Sequence, residues 1–292
     1  MKALLTTAAV FAAMMILVPA AFATSETLYF DNNGGNHEWS NVANWSTSPS
    51  THVAPSDNSY PLEDDRAVIL SSSEYCTISS QDAAADTLVV QSGAELNIEA
   101  QRQLTLDHDN GPAGDTEIAG TVNLNYDSEN EYFSTLEFRD SNQAVSGSGS
   151  IKGWGNTCRL SISTSNTLTN ETTIEGSMQI RAGSGTFQNN GTVEANHYDD
   201  DDDTLTLYSG TFSGGTSTCN EGYKVTESLA TLLIGVGSPT ITSLSADFFI
   251  EDGTLDIQAS VATTGGMRFT GGTISVNAGC SFTATGALAT CP

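Results

Sequence analysis

Asp107, Asp109, Asp115 and Glu117 fall within the short stretch DHDNGPAGDTE, which turns at Gly111. Calcium is held by several hard oxygens from one short loop, and this stretch has the composition for it. Its register is not that of an EF-hand loop, where the glycine is sixth; Gly111 is fifth counted from Asp107. A second stretch, YDDDDDT, sets Asp199 to Asp203 in a row. Adjacent carboxylates repel, so they belong on a loop in water, where a cation held by Asp199, Asp201 and Asp203 would relieve the repulsion. The plainer reading of both stretches is a solvated turn; calcium is the one cofactor they suggest.

The residues give little support to catalysis. His37, His52, His108 and His197 all sit in polar surroundings with no nearby serine or cysteine in a recognisable motif, and no nucleophile elbow occurs. Acids are plentiful enough for the paired carboxylates of a glycosidase. A lyase acting on uronates needs Lys or Arg to neutralise the substrate acid and move a proton. Arg139, Arg159, Arg181 and Arg268 are the candidates; they are dispersed in sequence, but a fold of stacked coils can align them.

Charge narrows the partners. Nine Lys and Arg stand against 35 Asp and Glu, a formal net charge of −26. Nucleic acid, anionic membranes and polyanionic substrates each need a cationic face, so this balance argues against all three. The opening MK, the apolar run through Val18 and the small-x-small sequence Ala21-Phe22-Ala23 read as a secretory leader, residues 1–23. No later stretch is apolar enough to cross a bilayer. The expected location is therefore outside the cell, where cysteines can pair. There are five, Cys76, Cys158, Cys219, Cys280 and Cys291, so at least one lacks a partner within the chain. Cys280 and Cys291 are the closest two and are the candidate clip for the last coil region. No spacing suggests zinc.

The elements that must position these residues are short strands. From about Ala67, apolar-x-apolar triplets recur between Gly, Asn, Ser, Thr and Asp: LVV at 88, LNI at 96, LTL at 104, VNL at 122, LEF at 136 and LDI at 255 among them. That is the two-residue period of a strand, and glycine turns such as NNGTVEA and EDGTLDI precede it. The triplets are too short for a stable sheet built from hairpins alone. Coils of about 20–25 residues, each with three short strands and three turns, fit better. The sequence thus predicts an all-β, parallel β-solenoid body over 67–292, preceded by a cap segment at 24–66. An irregular antiparallel sandwich is the alternative. The cap segment holds Trp39 and Trp45, six apart in NHEWSNVANWS. A solenoid end exposes apolar interior and bare strand edges, and these rings are read as covering the first coil. Stacking on sugar rings is the competing role.

The run WSNVANWS, then EDDRAVIL, then ADTLVVQSGAELNIEAQRQLTL resembles secreted bacterial surface proteins of the adhesin-like and autotransporter-passenger-like kind. The resemblance is clearest over residues 29–124. It implies a single-stranded right-handed parallel β-helix and carries no catalytic motif. The expected function is a non-catalytic secreted or cell-surface element, structural or adhesive, with extracellular glycans or matrix proteins as partners and neither nucleic acid binding nor membrane insertion. The alternatives are a carbohydrate-active hydrolase or lyase, or a calcium-dependent glycan-binding module, on the same scaffold.

Overall fold

The computed structural model describes residues 25–73, 75–107, 115–125, 132–163, 165–196, 203–214, 222–235, 240–244 and 246–286. The chain winds as a parallel β-helix with three sheet faces. On face A, strand Thr27–Phe30 lies under Arg66–Ile69, which lies under Thr87–Val90. The ladder continues through Thr116–Ile118, Gln143–Ser146 and Thr167–Asn170. It then passes through the later parts of Thr173–Asn189 and Thr204–Gly214 to Thr240–Leu244, Val261–Thr263 and Phe282–Ala284. Ten parallel pairings thus join eleven described strands on this face, a stack of about 48 Å at roughly 4.8 Å per rung. Face B runs from Tyr75–Ile78 to Met267–Phe269, and face C from Ala83–Ala85 to Thr273–Val276.

The triplets form strands because every second side chain turns inward to meet its counterpart on the neighbouring rung. On face B, Cys76, Leu96, Val122, Ile151, Ile174, Val193, Tyr223 and Phe248 make one such column. All are buried. The intervening residues face out. Coil length varies more than the triplets suggest. Stacked Asn170 and Asn189 are 19 residues apart, and stacked Asn97 and Asn123 are 26 apart. The buried Asn170 amide donates to Asn189 Oδ1 at 2.8 Å and to Thr172 O at 3.1 Å. Two asparagines therefore sit inside the stack, on the column where Val145 lies one rung below. Corners are tight. A Cβ on Gly149 would stand 1.9 Å from Gly120 O, and Gly210 turns the chain from face C to face A at φ +104.

The opening segment contributes more than a cover. Thr27–Phe30 is itself the lowest rung of face A, so the stack begins before Ala67. Residues 45 and 46 then fold back and pair antiparallel with it, Phe30 against Trp45 and Tyr29 against Ser46. Trp45 packs edge-on against Phe30 at 5.2 Å and against Trp39 at 4.8 Å, and its indole N–H donates to Trp39 O at 2.7 Å. Both indoles are buried. The same segment reaches face B: Trp39 N donates to Thr77 O, and Thr77 N donates to His37 O. Polar groups hold it in place. Asn41 caps the short 3-10 turn Val42–Asn44 by accepting from Ala43 N. Ser79 and Ser80 hydroxyls donate to the Glu38 carboxylate at 2.6 and 3.0 Å. Partial burial raises the Glu38 pKa, but the hydrogen bonds from Ser79 and Ser80 outweigh it and leave the group below its usual value.

Two predictions follow from the packing. Trp45→Ala removes the ring that covers Phe30; we expect a loss of about 3–5 kcal/mol in urea unfolding, with amide exchange accelerating first in Thr27–Phe30. A loss no larger than that of the exposed Trp154→Ala would contradict the closing role. Tyr223 stacks on Phe248 at 5.2 Å, with its hydroxyl buried and lacking a hydrogen bond among the described residues. Burial pushes its phenol well above the ordinary range. The folded state therefore favours the neutral ring. Its contribution is complete below about pH 10, where the unfolded phenol ionises, and declines as pH rises toward the folded value. Tyr223→Phe should raise the unfolding free energy at pH 7 by up to about 1 kcal/mol, read as a higher urea midpoint, and flatten the loss above about pH 10. A lowered midpoint would show that the hydroxyl has a partner.

Candidate functional site

Face C gathers most of the candidate arginines. Leu104, Leu106, Leu136, Phe138, Leu160, Ile162 and Ile180 point inward there and are buried. The alternation sends Thr105, Glu137, Arg139, Arg159, Ser161, Gln179 and Arg181 outward. The register places Arg159 over Thr135 and under Gln179, and Ser161 over Glu137 and under Arg181. Arg159 and Arg181 are thus diagonal neighbours on adjacent rungs, with backbones about 8 Å apart.

The arginines differ in their partners. Arg139 Nη2 binds Glu137 Oε2 at 2.7 Å, and Gln103 Nε2 donates to the same oxygen at 2.7 Å. Arg159 instead lies over the Phe133 ring, 3.5 Å from its centroid, and its buried Nε has no hydrogen-bond partner among the described residues. Arg181 lies over the Tyr208 ring at 4.1 Å and donates through Nε to Gln179 Oε1 at 2.7 Å. Among the described residues, neither Arg159 nor Arg181 has a carboxylate in ion-pair range. Burial lowers the Arg159 pKa, the nearby Arg181 charge lowers it further, and Tyr208 acts the other way. Arg268 stands apart on face B, bonded to Glu251 and over the Phe249 ring at 5.0 Å.

Beside Phe133, at the corner between faces B and C, lies a recess of about 240 Å³ lined by Asp82, Gln101, Arg102, Gln103, Tyr132, Phe133 and Thr135. Tyr132 is 42% exposed. Arg102 Nε donates to Ser79 O at 2.6 Å. A larger hollow of about 410 Å³ follows the glycine turns Gly93, Gly120 and Gly149 between faces A and B. It exists because those positions have no side chains. Of the carboxylates on its wall, Glu175 is 3.2 Å from Lys152 Nζ. We therefore place the candidate site on the arginines and rings of face C.

The acidic candidates are not drawn together among the described residues. Asp107 ends a face C strand and is buried. Glu117 points outward from face A, paired in register with Val89 and Ser146, and Asp115 is exposed just before it. Asp203 sits where face C resumes, its carbonyl accepting from Thr231 N. Asp109, Asp199 and Asp201 lie outside the described residues. No group of three or more His, Cys, Asp or Glu among the described residues is placed to hold a metal ion. His37 stacks on Tyr75 at 3.9 Å, and His52 Nδ1 is 2.8 Å from Asp31 Oδ2; both serve the opening segment.

No disulfide joins the described cysteines. Cys280 is a free, partly buried thiol, so the clip to Cys291 is not made among the described residues; Cys291 and Cys219 lie outside them. Cys76 and Cys158 occupy inward positions. Burial raises the thiol pKa of both, so neither is a nucleophile at neutral pH. An alkylating reagent should leave both unlabelled in the native protein and label both in denaturant, read by peptide mass; native labelling of either would contradict the packing.

Phe133, Tyr132 and Tyr208 were not singled out from the sequence. They flank the triplets instead of belonging to them, and only the register brings them under or beside arginines. No helix among the described residues is long and apolar enough to cross a membrane. No family model matches the chain, and no curated protein and no solved structure is significantly similar to it, so a functional reading rests on this geometry.

Proposed function

We propose that the chain is a non-catalytic extracellular β-solenoid, a rigid structural or adhesive element that presents its flat faces to glycans or matrix proteins. The observation that supports this reading most strongly is the continuous parallel ladder of face A from Thr27 to Ala284, which makes one stiff body. Its outward residues form long regular rows. Thr204, Thr231, Thr254 and Thr273 stack in one row, and Thr167, Thr186 and Thr211 in another. An exposed ring stands on face B. Trp154 is 39% exposed and its indole N–H donates to Asn123 Oδ1 at 3.2 Å. A ring held by a hydrogen bond offers a flat apolar surface at reduced entropic cost, which suits sugar faces. The leader expected at residues 1–23 agrees with work outside the cell.

A second reading, a carbohydrate-active enzyme, draws on one observation: Glu137 shares face C with Arg139, Arg159 and Arg181. One experiment separates the two. The purified chain is applied to arrays of cells, matrix proteins and polysaccharides, and each polysaccharide is checked for shortened products. Retention on at least one surface with every polysaccharide intact is the expected result. Release of products would overturn the non-catalytic reading, and blank arrays would remove adhesion.

A further inference from the structure

We propose that Arg159 and Arg181, with the adjoining recess at Arg102, Tyr132 and Phe133, form a docking strip for an acidic saccharide whose carboxylates are widely spaced. The proposal rests on the adhesive reading and names the chemistry of its ligand. Carboxylates outnumber cations here by 35 to nine, yet among the described residues only two of the six arginines pair with an acid. Arg139 has Glu137 and Arg268 has Glu251. Arg159 and Arg181 stand next to each other with none among the described residues, and two like charges so placed repel. An anion between them relieves that repulsion.

Both guanidinium groups are already oriented. Phe133 supports Arg159, and Tyr208 supports Arg181. Little side-chain freedom remains to be lost on binding, which is the usual cost of an arginine contact. The planar fork of arginine matches a carboxylate through two parallel hydrogen bonds. Around the pair the outward neighbours are neutral hydrogen-bonding groups, Thr135, Ser161, Gln179 and Thr206. The nearest acid in register, Glu137, is engaged by Arg139 and Gln103. Tyr132 at the recess offers a ring to a sugar face.

The net charge of −26 selects among anions without excluding them. At physiological salt, fields are screened beyond about 8 Å, so the local arginines decide a local contact. A densely charged polymer would still set most of its groups against acidic surface. That disfavours nucleic acid and highly sulfated chains and favours isolated carboxylates among neutral sugars.

The test is calorimetric titration of the full chain with a hyaluronan hexasaccharide, its carboxyl-reduced neutral form and a heparin hexasaccharide. The first should bind, and the other two at least about tenfold more weakly. The double substitution Arg159→Gln with Arg181→Gln should weaken hyaluronan binding at least about tenfold. Arg159→Lys with Arg181→Lys keeps charge and stem but loses the fork, and should weaken it several-fold with an unchanged thermal midpoint. Absence of hyaluronan binding, equal binding of the neutral form, tighter binding of heparin, or indifference to the lysine pair would each overturn the proposal. Any of these alongside retained adhesion in the array assay would leave the scaffold reading standing. Shortened hyaluronan would instead refute the non-catalytic reading.

Discussion

The structure depends on neighbours above and below. A rung of four residues buries nothing by itself; its inward side chains leave water only when the next coil covers them, and its backbone groups pair only with adjacent rungs. The last described coil shows this directly. Ile257 is fully buried under its successor, whereas Val276, one rung further along the same column, is 44% exposed. Ile250 and Phe269 give the same contrast on face B, 0% against 51%. At the opening end, Trp39 and Trp45 supply by side-chain bulk what the missing rung would have supplied. A two-residue antiparallel pairing blocks part of the bare edge that would otherwise recruit another chain.

The same constraint makes the outer surface programmable. Stacking fixes the inward residue types and register, and the alternation then leaves every second position free of packing demands. Residues distant in sequence become neighbours with a spacing set by the rung. In this way Arg159, Gln179 and Thr206 form one column on face C, while Glu137, Ser161 and Arg181 form the next. An acidic chain can thereby hold a small cationic strip whose local chemistry its net charge does not reveal.

The fold was legible because its strongest signal is local. Triplets such as LNI, VNL and LDI, each preceded by a glycine turn, carry both the strand period and the corner. The first rung was less visible: TLYF stands alone in a polar segment, and only its pairing with RAVI identifies it. Asn170 and Asn189 look like turn residues and are in fact buried and bonded to each other, which no local pattern shows. The candidate site was the least legible part. The arginines were visible individually, but their alignment depends on coil lengths that run from 19 to at least 26 residues. Any error in register moves a side chain to another column or to the other face. Phe133 and Tyr208 carry no period at all, so their stacking on Arg159 and Arg181 had no sequence signal.

The central claim, one parallel stack in this register, is tested most directly by electron-spin distance measurements along the outward column Thr77, Asn97, Asn123, Lys152, Glu175, Glu194, Lys224. Nitroxide pairs at Thr77 with Asn123, Glu175 or Lys224 should show separations rising by about 4.8 Å for each intervening rung. Separations that fail to rise with rung number, as in a sandwich of hairpins, would contradict the account.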